Sequence, residues 1–166
     1  MSTGNSTTQS PRSDAKSADP EQALRARWIA ALAFAGTDFL ERQLAALDPA
    51  PSWRALRGPE IGLALLRGRI GGSGDPFNFG ETTIARAAVL TPDGKQGFGY
   101  VAGRDLRHAE LAAVFDALLQ DESQRKDLFE RIVLPVEASR RAEQARRAAE
   151  VAPSKVEFFT MVRGDG

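Results

Sequence analysis

Five arginines and one histidine gather around two glycine-rich stretches of this chain, and they are the residues whose chemistry asks for explanation. Gly71-Gly72-Ser73-Gly74 and Gly103-Arg104-Asp105 bracket two runs that read as a β-hairpin, and Arg67, Arg69, Arg86, Arg104 and Arg107 lie within or beside these elements. His108, the single histidine, follows the second stretch. The arginine fork matches the oxygens of carboxylate and phosphate, while glycine lets backbone approach a ligand or another chain. The centre therefore reads either as an anion site or as a close subunit contact. Arg104, Asp105, His108 and Glu110 also fall at the start of a predicted helix. In the functional reading, Arg104 clamps an anion at the exposed amides and His108 or Glu110 moves a proton. In the plainer reading, Asp105 is a helix cap, Arg104 and Glu110 are surface charges, and His108 is a satisfied polar group.

Other chemistries fit poorly. Gly72-Ser73-Gly74-Asp75-Pro76-Phe77 lacks the third glycine of a dinucleotide loop, and a strand rather than a helix follows. Neither glycine cluster is followed by a phosphate-loop lysine. Ser73 has no partner that would activate it as a nucleophile. With one histidine and no cysteine, a closed zinc site within the chain is not expected. Twenty-two basic residues balance twenty-two acidic ones, so no global field draws in nucleic acid or an anionic membrane, and any anion site must be local. Arg163-Gly164-Asp165 has the form of an integrin-type tripeptide, which in a chain without cysteine or signal peptide reads as coincidence.

The elements that must position these residues follow from composition and periodicity. Residues 1–19 are polar and read as a disordered tail; 20–166 read as one domain. No apolar run reaches membrane-spanning length, and the expectation is a soluble intracellular protein. Asp19-Pro20 opens a helix with Leu24, Trp28, Ala31, Leu32 and Ala35 at helical spacing, which Gly36 ends. Thr37 or Asp38 then caps a second helix, stopped by Asp48-Pro49. Trp53–Leu56 reads as the start of a strand, Gly58-Pro59 as a turn, and Ile61–Ile70 as a further strand. Thr82–Thr91 and Gly97–Gly103 flank Pro92-Asp93-Gly94-Lys95, a hairpin signal. Arg86, in the middle of the first of these strands, must face solvent or hold an anion.

Asp105 caps a long helix with Leu111, Val114, Phe115 and Leu118 as its buried stripe. A helix from Ser123 is expected to stop at Pro135, and an alanine-striped helix covers Ala138–Val151. Val156–Val162 reads as a terminal strand. The fold expected is α+β: an antiparallel sheet of about four to five strands with an Asp-Gly hairpin, covered by roughly five helices. The aromatic residues Phe77, Phe79, Phe158 and Phe159, with Gly71, Gly72, Gly74 and Arg163, are the candidate contacts to another chain.

The order RGRIGGSG…PFNFGE…T.ARAAV…DG..GFGYVAGRD..HAEL, an Ala/Arg helix, and V.FFTMVRGD at the end resembles the PhnG family, the small G subunit of the bacterial carbon–phosphorus lyase system. The resemblance runs from about Glu21 to Asp165. It implies a cytoplasmic subunit that works with an I-type nucleosidase foremost, and also with H, J, K and L types. In the synthase step so implied, methylphosphonate displaces adenine from MgATP to give α-D-ribose 1-methylphosphonate 5-triphosphate. It further implies an auxiliary chain in a transferase complex, with MgATP a substrate of the complex and no cofactor or metal held firmly by this chain. The alternatives are that Arg69, Arg86 or Arg104 binds phosphonate or triphosphate with His108 or Glu110 moving a proton, or that the chain is a free-standing small-molecule binding domain.

Overall fold

The computed structural model describes residues 19–68, 75 and 77–151, with the backbone alone of Phe79 and Val151. Five α-helices and three strands follow the order α1 (Pro20–Ala35), α2 (Thr37–Ala45), β1 (Arg54–Gly68), β2 (Phe77–Leu90), β3 (Gln96–Ala102), α3 (Leu106–Leu119), α4 (Glu122–Leu128) and α5 (Leu134–Val151). The fold is α+β. The strands form one antiparallel sheet in the order β1-β2-β3, three strands among the described residues where four to five are predicted. Part of the difference is that 156–162 lies outside the described residues. The rest is that Trp53–Leu56 and Ile61–Ile70 are expected as separate strands, whereas residues 54–56 and 61–68 belong to one.

That merger has a local cause. Gly58-Pro59 does not turn the chain; β1 runs through it with register shifts between Ala55 and Arg57 and between Arg57 and Glu60. Among the described residues β1 is an edge strand, and a proline without an N–H is tolerated at a bulge on such an edge. Ile70 and the glycines at 71, 72 and 74 lie outside the described residues.

Helix α1 begins as its sequence dictates, with Asp19 accepting from the Glu21 N–H at 3.1 Å and proline at the first turn. Gly36, at φ 79°, ends it and caps α2, so Thr37 sits inside the second helix rather than capping it. β2 and β3 are joined through 91–95, where the Thr91 N–H donates to the Lys95 carbonyl at 3.0 Å. Pro135 does not stop a helix either. A π-helical turn, Phe129–Val133, precedes it, and the Leu134 N–H reaches back five residues to the Phe129 carbonyl. Widening the helix there moves the carbonyls away from the pyrrolidine ring, so the helical path continues from Glu122 into α5.

The core surrounds α3, which packs on the sheet on one side and on α1, α2 and α4 on the others. Leu111, Val114, Phe115 and Leu119 are buried there with Trp28, Leu32, Leu40, Val89, Ile132 and Val133. Contact with the sheet is close because both surfaces are small. On β3, Gly97 and Gly99 face Ala109, Ala113 and Ala117 of α3. A Cβ at Gly97 would lie 1.9 Å from the Ala113 carbonyl oxygen, and one at Gly99 equally near that of Ala109. These glycines are required by the approach of the helix backbone.

Candidate functional site

Of the sequence centre on Arg104, Asp105, His108 and Glu110, the last three resolve into interactions that fasten elements together. Asp105 caps α3: one carboxylate oxygen accepts from the His108 N–H at 2.9 Å and the other from Thr37 Oγ1 at 2.6 Å. The Thr37 hydroxyl first, then the His108 amide, hold its carboxyl below the usual aspartate range. The His108 ring is buried, and its Nε2 lies 2.8 Å from the Leu32 carbonyl, joining the first turn of α3 to the last turns of α1. Glu110 accepts from Arg107 Nη1 at 2.8 Å and more distantly from Trp53 Nε1 at 3.4 Å, while Arg107 also reaches Glu41 at 3.1 Å. Pairing with Glu110 first, and Glu41 next, raises the Arg107 pKa. A hollow of about 350 Å³ lies beside this pair, lined by Leu44, Ala45, Ala50 and Pro51 with Glu41, Trp53 and Arg107.

The remaining candidates are dispersed. Arg86 lies on the sheet face opposite α3, directly across from Glu60, and its Nε donates to that carboxylate at 2.7 Å. Arg57 shares the same carboxylate at 3.1 Å. Arg104 is exposed and has no ion-pair partner among the described residues. Phe77 is half-exposed at the start of β2. Arg69, Phe158, Phe159 and Arg163 lie outside the described residues, as does the side chain of Phe79. Among the described residues no group of three or more histidines and carboxylates could hold a metal ion, and no helix is long and apolar enough to cross a membrane.

Two features escape the sequence reading. The first is Asp116, fully buried in α3. It accepts from Arg25 Nε at 3.2 Å and Nη2 at 2.8 Å, from Trp28 Nε1 at 2.8 Å and from the Phe98 N–H at 2.9 Å. One carboxylate thus ties α1 and β3 to α3. The signal was present in the sequence as a lone aspartate inside LAAVFDALL, on the apolar stripe of a helix.

The second is an uncovered apolar arm. β3 pairs with β2 only from Ile84 to Leu90, and the Gly103 N–H extends that contact to the Thr83 carbonyl at 2.8 Å, so the β2 residues before Thr83 lie beyond the reach of β3. Ile61 lies opposite Ala85, Leu63 opposite Thr83 and Leu65 opposite Glu81, which places all three on the face that α3 covers at Ala85, Ala87 and Val89. Beyond the reach of α3 that face is bare: Ile61 is 52% exposed, Leu63 67% and Leu65 62%. Leu56 and Leu66 are also exposed on the same strand. A single exposed leucine is ordinary, but a strand of them marks a contact surface.

Comparison with known proteins places these features in a family. Residues 23–164 match the model of the family described as phosphonate metabolism protein PhnG. A protein of Rhizobium meliloti (strain 1021), named alpha-D-ribose 1-methylphosphonate 5-triphosphate synthase subunit PhnG, is 48% identical over 120 residues, covering 72% of this chain and 76% of its own.

Proposed function

This chain belongs to the PhnG family of phosphonate metabolism proteins, and from that premise we propose that it is a subunit of α-D-ribose 1-methylphosphonate 5-triphosphate synthase. In the reaction so proposed, a phosphonate oxygen of methylphosphonate forms a bond to C1′ of the ribose of ATP. The C1′–N9 bond to adenine breaks with its electron pair, and adenine leaves carrying a proton. The chemistry resides in a nucleosidase partner of the I type, assisted by H and L types, while this chain shapes and steadies that partner. J and K types belong to the wider assembly. The complex works in the cytoplasm, and MgATP is its substrate rather than a cofactor of this chain.

The observation that carries the auxiliary reading is the contrast between satisfied polar groups and bare apolar ones. His108, Glu110 and Arg86 each have a protein partner within the chain. Against this, Ile61, Leu63 and Leu65 have none of the cover that the rest of their face enjoys. A surface of that kind serves assembly better than turnover. Arg104 supports one second reading: exposed and without a carboxylate partner among the described residues, it is the candidate for a phosphonate or triphosphate contact.

The test is reconstitution of I, H and L partners with methylphosphonate and MgATP, followed by phosphorus NMR with and without this chain. Product that appears only with the chain supports the synthase-subunit reading. Equal product without it rejects that reading.

A further inference from the structure

The two edges of the sheet differ in a way that bears on how a partner binds. The outer edge of β3 is plugged. Its Phe98 N–H donates to buried Asp116 at 2.9 Å, and its Gln96 carbonyl accepts from Arg25 Nη2 at 3.2 Å and Gln120 Nε2 at 2.8 Å. No strand can pair there without displacing three side chains. Among the described residues the outer edge of β1 is open. Pro59 and the register shifts around Arg57 interrupt its first half, but Glu60–Leu66 runs without a shift, and among the described residues no side chain or loop hydrogen-bonds to its backbone. An exposed edge of this length is a template for another strand unless charge, twist or cover blunts it. Here the exposed residues Ile61, Leu63 and Leu65 invite cover instead.

Charge decides among occupants. β1 carries Arg54, Arg57 and Arg67 against a single carboxylate, Glu60, which Arg57 and Arg86 already share. Arg54 and Arg67, near the two ends of the strand, are exposed and have no ion-pair partner among the described residues. Pairing β1 with β1 of a second copy would bring arginine-rich strands together, and like charges across a ladder destabilise it. The C-terminal segment 156–162 has one acid, Glu157, and is flanked by Lys155 and Arg163, so it complements the edge no better.

We propose that the β1 edge receives an extended segment of another synthase subunit, apolar at alternate positions and carrying carboxylates toward its ends, which adds a fourth strand to the sheet. Main-chain hydrogen bonds to β1 hold the segment. Its apolar side chains cover Ile61, Leu63 and Leu65, and its carboxylates pair with Arg54 and Arg67. The inference deepens the synthase-subunit reading and rests on it.

Hydrogen exchange tests it on the full chain, alone and assembled with its I, H and L partners. In the free chain the β1 amides that point away from β2 exchange rapidly. On assembly those between Arg57 and Leu66 slow by on the order of 100-fold. Leu63→Asp, at a site already in water, leaves the melting curve of the free chain unchanged and weakens assembly at least about tenfold, as does the double reversal Arg54→Glu/Arg67→Glu.

A complex that forms with β1 exchange unchanged overturns the proposal, as does wild-type assembly by both variants. Protection that appears in the chain alone as its concentration rises overturns it in favour of a second copy. The two readings fail separately. A chain that is required for product, and bound, but unprotected at β1 defeats only the edge proposal. A chain that binds none of the subunits and is dispensable for product defeats both.

Discussion

The two flanks of the sheet are built on opposite rules. On the β3 side, small residues let the helix backbone approach, the strand edge is plugged by Asp116, Arg25 and Gln120, and the polar groups are paired. On the β1 side, a two-stranded arm extends past α3 with leucines in water and an edge that no described residue pairs. Burying each such leucine is worth about 1.5–3 kcal/mol, an energy the isolated chain forgoes. The β3 flank is organised for folding, and the β1 flank for a contact made afterwards. Substitutions on the first should therefore cost stability, and those on the second should cost assembly.

The largest effect is expected at Gly99. Gly99→Val places its branch against the Ala109 carbonyl, which as backbone of a packed helix has little room to move; we expect loss of the cooperative thermal transition, a cost above about 4 kcal/mol. A folded Gly99→Val protein would show that α3 does not dock as described. Next comes Asp116→Ala, which leaves the Trp28 and Phe98 N–H groups unpaired. Arg25 keeps about a third of its side chain in water, so the expected cost is the lower end of breaking a buried pair, about 3 kcal/mol by urea unfolding. Leu65→Ser on the arm sharpens the contrast, with an expected stability change within about 0.5 kcal/mol. Arg86→Gln, which breaks a half-exposed pair with Glu60, should cost less than about 1 kcal/mol.

Acid should act gradually. Hydrogen bonds from Lys95 and Thr91 hold Asp93 at about 2, and the Arg27 guanidinium lowers Glu137. Asp105 is lowered as well. Depressed carboxyl groups add stability above their unfolded pKa and lose it as pH falls through the folded value. Stability should therefore be level at neutral pH and decline from about pH 4 toward pH 2. A Tm that rises over that interval would contradict these pairings.

Much of the fold was legible because it rests on local signals. Asp19-Pro20 and Asp105 announced helix starts, Gly36 an end, and LAAVF a buried stripe. Pro59 and Pro135 misled, because a bulge on an edge strand absorbed one and a π turn the other. The candidate site was less legible. Arg104, Asp105, His108 and Glu110 are neighbours in sequence but not one site: Asp105 bonds Thr37, His108 reaches α1, Glu110 holds Arg107, and Arg104 is exposed without an ion-pair partner among the described residues. The run Ile61–Ile70 is legible as a strand, and its described part, 61–68, is one. Its exposure depends on β3 being half the length of β1, a tertiary fact with no local signature.

The most direct test of an interface subunit is to compare Leu63→Asp with Arg104→Gln in the reconstituted synthase, measuring both assembly and phosphorus NMR product. The account predicts that Leu63→Asp loses product in proportion to lost assembly, whereas Arg104→Gln assembles and supports product at the wild-type rate. An Arg104→Gln chain that assembles fully and yields no product would contradict it and make this chain a direct participant in the chemistry.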